Sequence, residues 1–285
     1  MLKITECPRD AMQGIKQMIP TQVKADYLNL LLKVGFDRLD FGSFVSPKAI
    51  PQLQDTPEVL KKLRLDGSPT KLLAIIANLR GAQDACAFDE IQFLGFPFSI
   101  SETFQQRNTN SSIAESLKRV EEIQDLCRQK NKTLLVYISM AFGNPYGDLW
   151  NPDIAIHWCK QLEARGITHL ALADTTGSST PQSIELLFSS LIPELKNVEF
   201  NAHLHSVPEN AMEKIEAAYN NKCRSFDVAI HGFGGCPMAK DDLTGNLATE
   251  TLEAFAAKQN IALNLNKEAL KTCYDYSWNV FNTYH

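Results

Sequence analysis

The chain has 285 residues, 44% of them hydrophobic, enough for one sizeable core or two small ones. Its formal net charge is −5, and it has no strongly basic patch, which argues against nucleic acid as a partner. Seven scattered cysteines form no C-x-x-C, residues 1–10 (MLKITECPRD) lack a charged-then-apolar leader, and no run of 18 apolar residues occurs; we expect a cytoplasmic protein with reduced thiols and no membrane partner.

Short β-like runs alternate with longer amphipathic ones. The first β-like run, 3–7, is followed by Pro8-Arg9-Asp10. Residues 21–34 (TQVKADYLNLLLKV) predict a helix with Gly35 as its C-cap. The second run, 38–44, carries Asp40, Ser43 and Phe44 near its end. The third and fourth are 71–77 and 90–96. Residues 112–130 then repeat apolar side chains at three- and four-residue spacing, which predicts a helix. The fifth run, 133–139, precedes a helical stretch over 152–165 that stops at Gly166. The sixth, 169–173, leads into Asp174-Thr175-Thr176-Gly177. The seventh, 199–203, is followed by a helix over 210–221. The eighth, 225–230, opens into HGFGGCPMAKDDLTGN, with Cys236 and Asn246, before a helix over 249–259. The last twenty residues, NKEALKTCYDYSWNVFNTYH, predict an extra C-terminal helix at about 265–285, packed outside the rest.

About eight β–α units without a linker or a break in composition predict a single α/β domain over 1–285, a (β/α)8 TIM barrel with an additional C-terminal helix. An open doubly wound sheet is the alternative, but no G-x-G-x-x-G follows the first strand.

Active sites of such barrels lie at the C-terminal ends of the strands, and the polar residues of this chain gather there. In HLHS, residues 203–206, His203 and His205 are spaced so that on a strand both imidazoles share a face. Isolated H-x-H pairs are more often surface or core residues than ligands; a metal needs more ligands, from elsewhere in the chain. Asp10 would add a carboxylate oxygen, a set suited to a divalent metal with open positions for water and substrate. An amide oxygen from Asn246 would favour Mg²⁺ or Mn²⁺, with zinc still open. Arg9 reads either as a salt-bridge partner or as a fixed cation for a developing oxyanion. Cys236, in a Gly-rich loop, is either a small buried thiol or one that closes over a substrate. Asp40 is a carboxylate that orients a ligand, a helix cap or a surface charge; Asp174 is an orienting carboxylate or a turn acceptor. His231 reads as structural, and His157, His169 and His285 as incidental.

PRDAMQ resembles the arginine–aspartate signature of the DRE-TIM metallolyases. SFVSPKAIPQLQD, ALADTTGSSTP, AHLHS, GFGGCP and TGNLATE together resemble the 3-hydroxy-3-methylglutaryl-CoA lyase family, over about 3–265. The resemblance implies a metal-dependent barrel that cleaves hydroxymethylglutaryl-CoA to acetyl-CoA and acetoacetate. It implies Mg²⁺ or Mn²⁺ on Asp10, His203, His205 and Asn246, Arg9 on the enolate oxygen of the thioester, and Cys236 in proton transfer. Catalytic roles fall also to Asp10 and His203, either of which could remove the hydroxyl proton. Asp40 stands where the family has a glutamate, and Asp174 matches its aspartate. A CoA thioester substrate and a homodimer are further implications, and leucine breakdown and ketone-body formation both suit the chemistry. The sequence departs from the pattern at several places: Thr5 occupies the family's glutamate position with Glu6 one off, Ser206 replaces an aspartate, Asn144 replaces a cysteine, and the stretch from Cys236 to Asn246 is one residue longer. A relative acting on another 3-hydroxyacyl-CoA, a Claisen-type synthase and an aldolase on a 2-oxo acid are the competing readings; a barrel that binds an acyl-CoA or a partner without turnover is another.

Overall fold

A computed structural model describes residues 1–234 and 244–284. The chain runs β1 (Lys3–Glu6), α1 (Pro8–Gln13), α2 (Thr21–Leu31), β2 (Arg38–Ser43), α3 (Thr56–Leu60), β3 (Lys71–Ile75), α4 (Leu79–Cys86), β4 (Ile91–Ser99), α5 (Glu102–Thr109), α6 (Ile113–Gln129), β5 (Thr133–Ser139), α7 (Pro152–Glu163), β6 (His169–Ala173), α8 (Pro181–Glu194), β7 (Glu199–His203), α9 (Pro208–Asn220), β8 (Ser225–Val228), α10 (Thr249–Lys258) and α11 (Lys267–Thr283). The strands pair in sequence order, all parallel, and β8 closes on β1 with Lys3 opposite Ser225 and Glu6 opposite Val228. This is the (β/α)8 TIM barrel, and α11 is the extra C-terminal helix, packed on α2.

Local chemistry explains the element ends. Ser112 caps α6 by accepting from the Glu115 amide, while Glu115 accepts from the Ser112 amide at 2.8 Å. Asn151 caps α7 by accepting from the Ile154 amide, with Pro152 in the first turn. The helix expected over 21–34 stops its regular turns at Leu31, before Gly35 takes a φ of +88°. The eighth strand ends at Val228, because a single 3-10 turn follows at Ile230–Gly232 and His231 adopts a φ of +60°. β4 runs on to Ser99 through Pro97; β3 pairs with it only as far as Gly95, so the missing proline N–H faces no partner strand there.

The barrel interior has two unlike halves. From β3 to β6, Leu73, Ile75, Phe93, Leu135, Tyr137 and Ala171 form an apolar cluster. From β1, β2, β7 and β8 come Thr5, Arg38, Asn201 and Ser225, all buried. The Arg38 guanidinium donates to Thr5 Oγ1 (3.1 Å), Asn201 Oδ1 (3.1 Å) and Ser225 Oγ (2.7 Å). It also pairs with Glu199 at 3.1 Å. The larger apolar core lies between the strands and the helices, where side chains such as Leu39, Phe96, Phe188 and Phe226 are wholly enclosed.

Strand alternation decides the fate of the acidic residue near the start. Thr5 points into the barrel and Glu6 points outward against α10. Glu6 accepts from Thr249 Oγ1 (2.7 Å) and from the Ile230 amide (2.8 Å), and burial pushes its carboxyl from the ordinary 4.5 up to about 8. The folded protein therefore binds a proton here that the unfolded chain releases between 4.5 and about 8. Stability from this group is present at low pH and is lost as pH rises through that window, by on the order of a few kcal/mol. Glu6→Gln should remove this slope: the parent should lose unfolding free energy relative to the variant as pH rises from 4.5 to about 8 in denaturant titrations. A parent-to-variant difference that stays constant across that window would contradict the assignment.

Candidate active site

α1 begins two residues after β1, with Pro8 in its first turn, so Arg9 and Asp10 stand directly over the strand ends. Arg9 is buried. Its Nε and Nη2 grip Asp40, with the shortest contact 2.7 Å from Nη2 to Oδ2. Its Nη1 donates to Gln13 Oε1 (2.8 Å) and lies 3.0 Å from Asp10 Oδ1. Burial alone would weaken the guanidinium's hold on its proton; the charges of Asp40 and Asp10 outweigh that and keep Arg9 firmly cationic. Burial lifts the Asp40 carboxyl to about 6, against the pull of Arg9. Asp40 is thus a buried carboxylate that orients Arg9, not a helix cap or a surface charge.

Asp10 Oδ1 accepts from Gln13 Nε2 (2.7 Å), and Oδ2 accepts from Asn246 Nδ2 (2.8 Å). Burial opposes the charge on Asp10; Arg9, His203 and His205 together overcome it, and the carboxyl lies below its usual range. The two histidines are not both on the strand. β7 ends at His203, and His205 sits just beyond it in an isolated antiparallel bridge with Asn246. The imidazoles still share a side, with ring centres 5.3 Å apart. The same bridge brings Asn246 to the site despite the longer loop. Its Nδ2 faces Asp10 and the Phe233 carbonyl, and its Oδ1 makes no hydrogen bond among the described residues.

His203 Nδ1 lies 3.2 Å from Asp227 Oδ2. Burial disfavours the imidazolium here, but the hydrogen bond and charge of Asp227 raise the pKa of His203. His205 behaves oppositely: burial, then the neighbouring His203, push it down to about 4, so its ring is a neutral lone-pair donor. Among the described residues its Nε2 is buried with no partner, a costly state for a ring nitrogen unless something binds it. Asp10, His203 and His205 offer ligand atoms all within 4.8 Å of one another. An ionised carboxylate, a neutral imidazole with an orphaned nitrogen and a second imidazole fit a divalent cation. A second trio, Cys7, His203 and Asp227, meets the same distance limit, but burial and the nearby carboxylates push the Cys7 thiol well above its ordinary range, which keeps it protonated and a poor ligand.

Gly234 lets the chain pass against this cluster. A Cβ there would lie 2.7 Å from Asn246 Nδ2, 2.8 Å from Ala11 Cα and 2.9 Å from the Asp10 carbonyl, and its φ is +97°.

Asp174 lies behind the trio. It accepts from the Ser179 amide (3.0 Å), Ser179 Oγ (2.5 Å) and Lys214 Nζ (2.9 Å). Lys214 also donates to the His205 carbonyl at 2.8 Å and to that of Gly177 at 3.1 Å. The ion pair thus braces the backbone of His205, and Asp174 does not join the trio. Cys236 lies outside the described residues. His231 is paired with Glu250 at 2.7 Å, in keeping with a structural role.

Sequence reasoning missed several residues at the site. Asp227 is the inward residue two places after Ser225, and alternation along the eighth strand would have marked it. Gln13 sits three and four residues after Asp10 and Arg9, on their helix face. Lys214, in α9, has no sequence signal.

Lys214 and Asp174 are each 1% exposed at the side chain. Lys214→Met would leave Asp174 buried beside Ser179 without a counter-charge, and should cost about 3–5 kcal/mol. Urea unfolding measures this; a change under about 1 kcal/mol would show that the pair does not brace this end of the barrel.

Known proteins share this fold. The HMGL-like family model matches residues 3–276. The mitochondrial hydroxymethylglutaryl-CoA lyase of Bos taurus is 33% identical over 273 residues, 94% of this chain and 82% of that protein. The cytoplasmic 3-hydroxy-3-methylglutaryl-CoA lyase of Rattus norvegicus is 32% identical over 252 residues, covering 88% and 73% respectively. An HMG-CoA lyase from Acinetobacter baumannii, solved in complex with coenzyme A and 3-methylmalate, superposes with a TM-score of 0.91 at 28% identity, over 99% of this chain and 92% of that one.

Proposed function

The chain belongs to the HMGL-like family, a carbon–carbon lyase by that membership, and we propose that it cleaves 3-hydroxy-3-methylglutaryl-CoA to acetyl-CoA and acetoacetate. The observation that carries this reading is the meeting, on one rim, of the Arg9–Asp40 pair with Asp10, His203 and His205. In this reading the barrel and α11 form one catalytic domain. A CoA thioester is the substrate, a homodimer the assembly and the cytoplasm the compartment, and the products suit leucine breakdown or ketone-body formation.

A divalent cation, Mg²⁺ or Mn²⁺ in this reading, would be held by Asp10, His203, His205 and the amide oxygen of Asn246, and when bound would act as a Lewis acid toward the substrate's oxygens. Asp10 is the base for the tertiary hydroxyl. It is ionised, and its two oxygens can divide the work of ligand and base. His203 is less suited to act as that base, since with Nδ1 turned to Asp227 only Nε2 is left. Loss of the hydroxyl proton lets the oxygen's electrons form the ketone of acetoacetate. The C2–C3 bond breaks, and its electron pair passes to the acetyl-CoA enolate.

Arg9 holds that enolate oxygen. Its Nε, one Nη1 hydrogen and one Nη2 hydrogen are engaged by Asp40 and Gln13, and Nη1 also lies beside Asp10. Of the five guanidinium donors, the second Nη2 hydrogen remains for the substrate. Because charge develops on this oxygen only as the bond breaks, the interaction acts on the transition state. Protonation of C2 by Cys236 or by water completes the reaction.

EDTA-stripped protein should release no acetoacetate from hydroxymethylglutaryl-CoA, and added Mg²⁺ or Mn²⁺ should restore release. Arg9→Gln should lower kcat by about a hundred- to a thousandfold with little change in KM. Absence of release from the metal-loaded parent would overturn the substrate assignment, and an Arg9→Gln variant that keeps its kcat would overturn the role of Arg9.

A further inference from the structure

The polar half of the barrel interior ends on a metal-site residue. Asn201 lies wholly buried between Arg38 and Asp227 and uses both ends of its amide: Oδ1 accepts from Arg38 Nη2 at 3.1 Å, and Nδ2 donates to Asp227 Oδ1 at 3.0 Å. The other oxygen of Asp227 meets His203 Nδ1 at 3.2 Å. Arg38 and Asp227 are each only 3% exposed. The result is a continuous hydrogen-bonded rod, Arg38–Asn201–Asp227–His203, from the second, seventh and eighth strands. Layers of branched apolar side chains are the usual filling of such barrels, and the opposite half of this one has a largely apolar filling. Buried polar groups cost free energy unless they are hydrogen-bonded; here each member makes at least one of the named hydrogen bonds, and the rod leads to His203.

We propose that Asp227 is a positioning residue for His203, with Asn201 and Arg38 fixing Asp227 in turn. The carboxylate keeps the proton on Nδ1, locks the ring plane and directs the Nε2 lone pair toward the space shared with Asp10 and His205. Asn201 sets which oxygen of Asp227 is free for the imidazole. Arg38 supplies the cation that makes a buried carboxylate tolerable there, and is held by Thr5, Ser225 and Glu199. The edge of the Tyr137 ring against His203, at 5.3 Å between centres, restricts the imidazole from the apolar side.

This inference rests on the metal-centre reading, and the experiment separates the two. Mn²⁺ binding to stripped protein is followed by the EPR signal of free Mn²⁺, beside ¹⁵N NMR of the metal-free histidines and a melting curve. Asp227→Asn should weaken Mn²⁺ roughly ten- to a hundredfold while the protein stays folded. The His203 resonances should shift away from the Nδ1-protonated form. His205→Ala serves as the loss-of-ligand control. Parent-like Mn²⁺ affinity in Asp227→Asn, with His203 still protonated on Nδ1, would overturn the proposal. Should that variant fail to fold, Asn201→Ala, which leaves the Asp227–His203 contact in place, takes over: a smaller loss of affinity supports the proposal, and parent affinity overturns it. Failure of the parent to bind Mn²⁺ would remove the metal-centre reading itself and this inference with it, a result distinct from a parent that binds and a variant that binds equally well.

Discussion

Closure of the barrel by β1 on β8 is the constraint on which the rest depends. The four paired positions from Lys3 with Ser225 to Glu6 with Val228 place opposite ends of the sequence side by side. Asp10 follows the first strand, His203 ends the seventh with His205 just beyond it, and Asn246 follows the eighth. Without closure they would lie at the two edges of an open sheet. With it, their ligand atoms come within hydrogen-bonding or metal-sharing distance. Parallel pairing throughout also puts every strand's C-terminal end on the same rim, so short segments after unrelated strands build one site.

The site concentrates buried charge, and the arrangement compensates most of it locally. Arg9 sits between Asp40 and Asp10, and Lys214 between Asp174 and two carbonyls. Among the described residues, His205 Nε2 and Tyr137 Oη are buried there without a hydrogen-bond partner. The His205 Nε2 lone pair stands beside a carboxylate and a second imidazole, a donor set that suits a bound cation. Neighbouring histidines with opposite pKa shifts follow from one difference: His203 has Asp227 behind it, and His205 has only a carbonyl-bound backbone.

Much of this was legible in the sequence. Strands 133–139, 169–173 and 199–203 appear with the expected bounds, each a short run between helical stretches. The pairing of Arg9 and Asp10 with H-x-H was legible because those residues cluster just past strand ends. Other features were not. α8, with prolines at positions 181 and 193 and serines within, hides its helical period. The distinction between Thr5 and Glu6 depends on which face of a short strand turns inward, which composition does not set for a run apolar on neither face. Asp227 and Asn201 matter through contacts 24 to 26 residues apart in sequence. Lys214, which braces His205 and Asp174 from within α9, reads as an ordinary helix-surface lysine until the barrel wraps it. Long-range satisfaction of buried polar groups is a property of the closed barrel, and local pattern carries little trace of it.

The most direct test of the metal centre is a crystal of the protein soaked in Mn²⁺, measured for anomalous scattering. One strong peak is expected at the rim, contacted by the Asp10 carboxylate and by the Nε2 atoms of His203 and His205. A saturated crystal with no peak there, or with its metal on Cys7 and Asp227 instead, would contradict it.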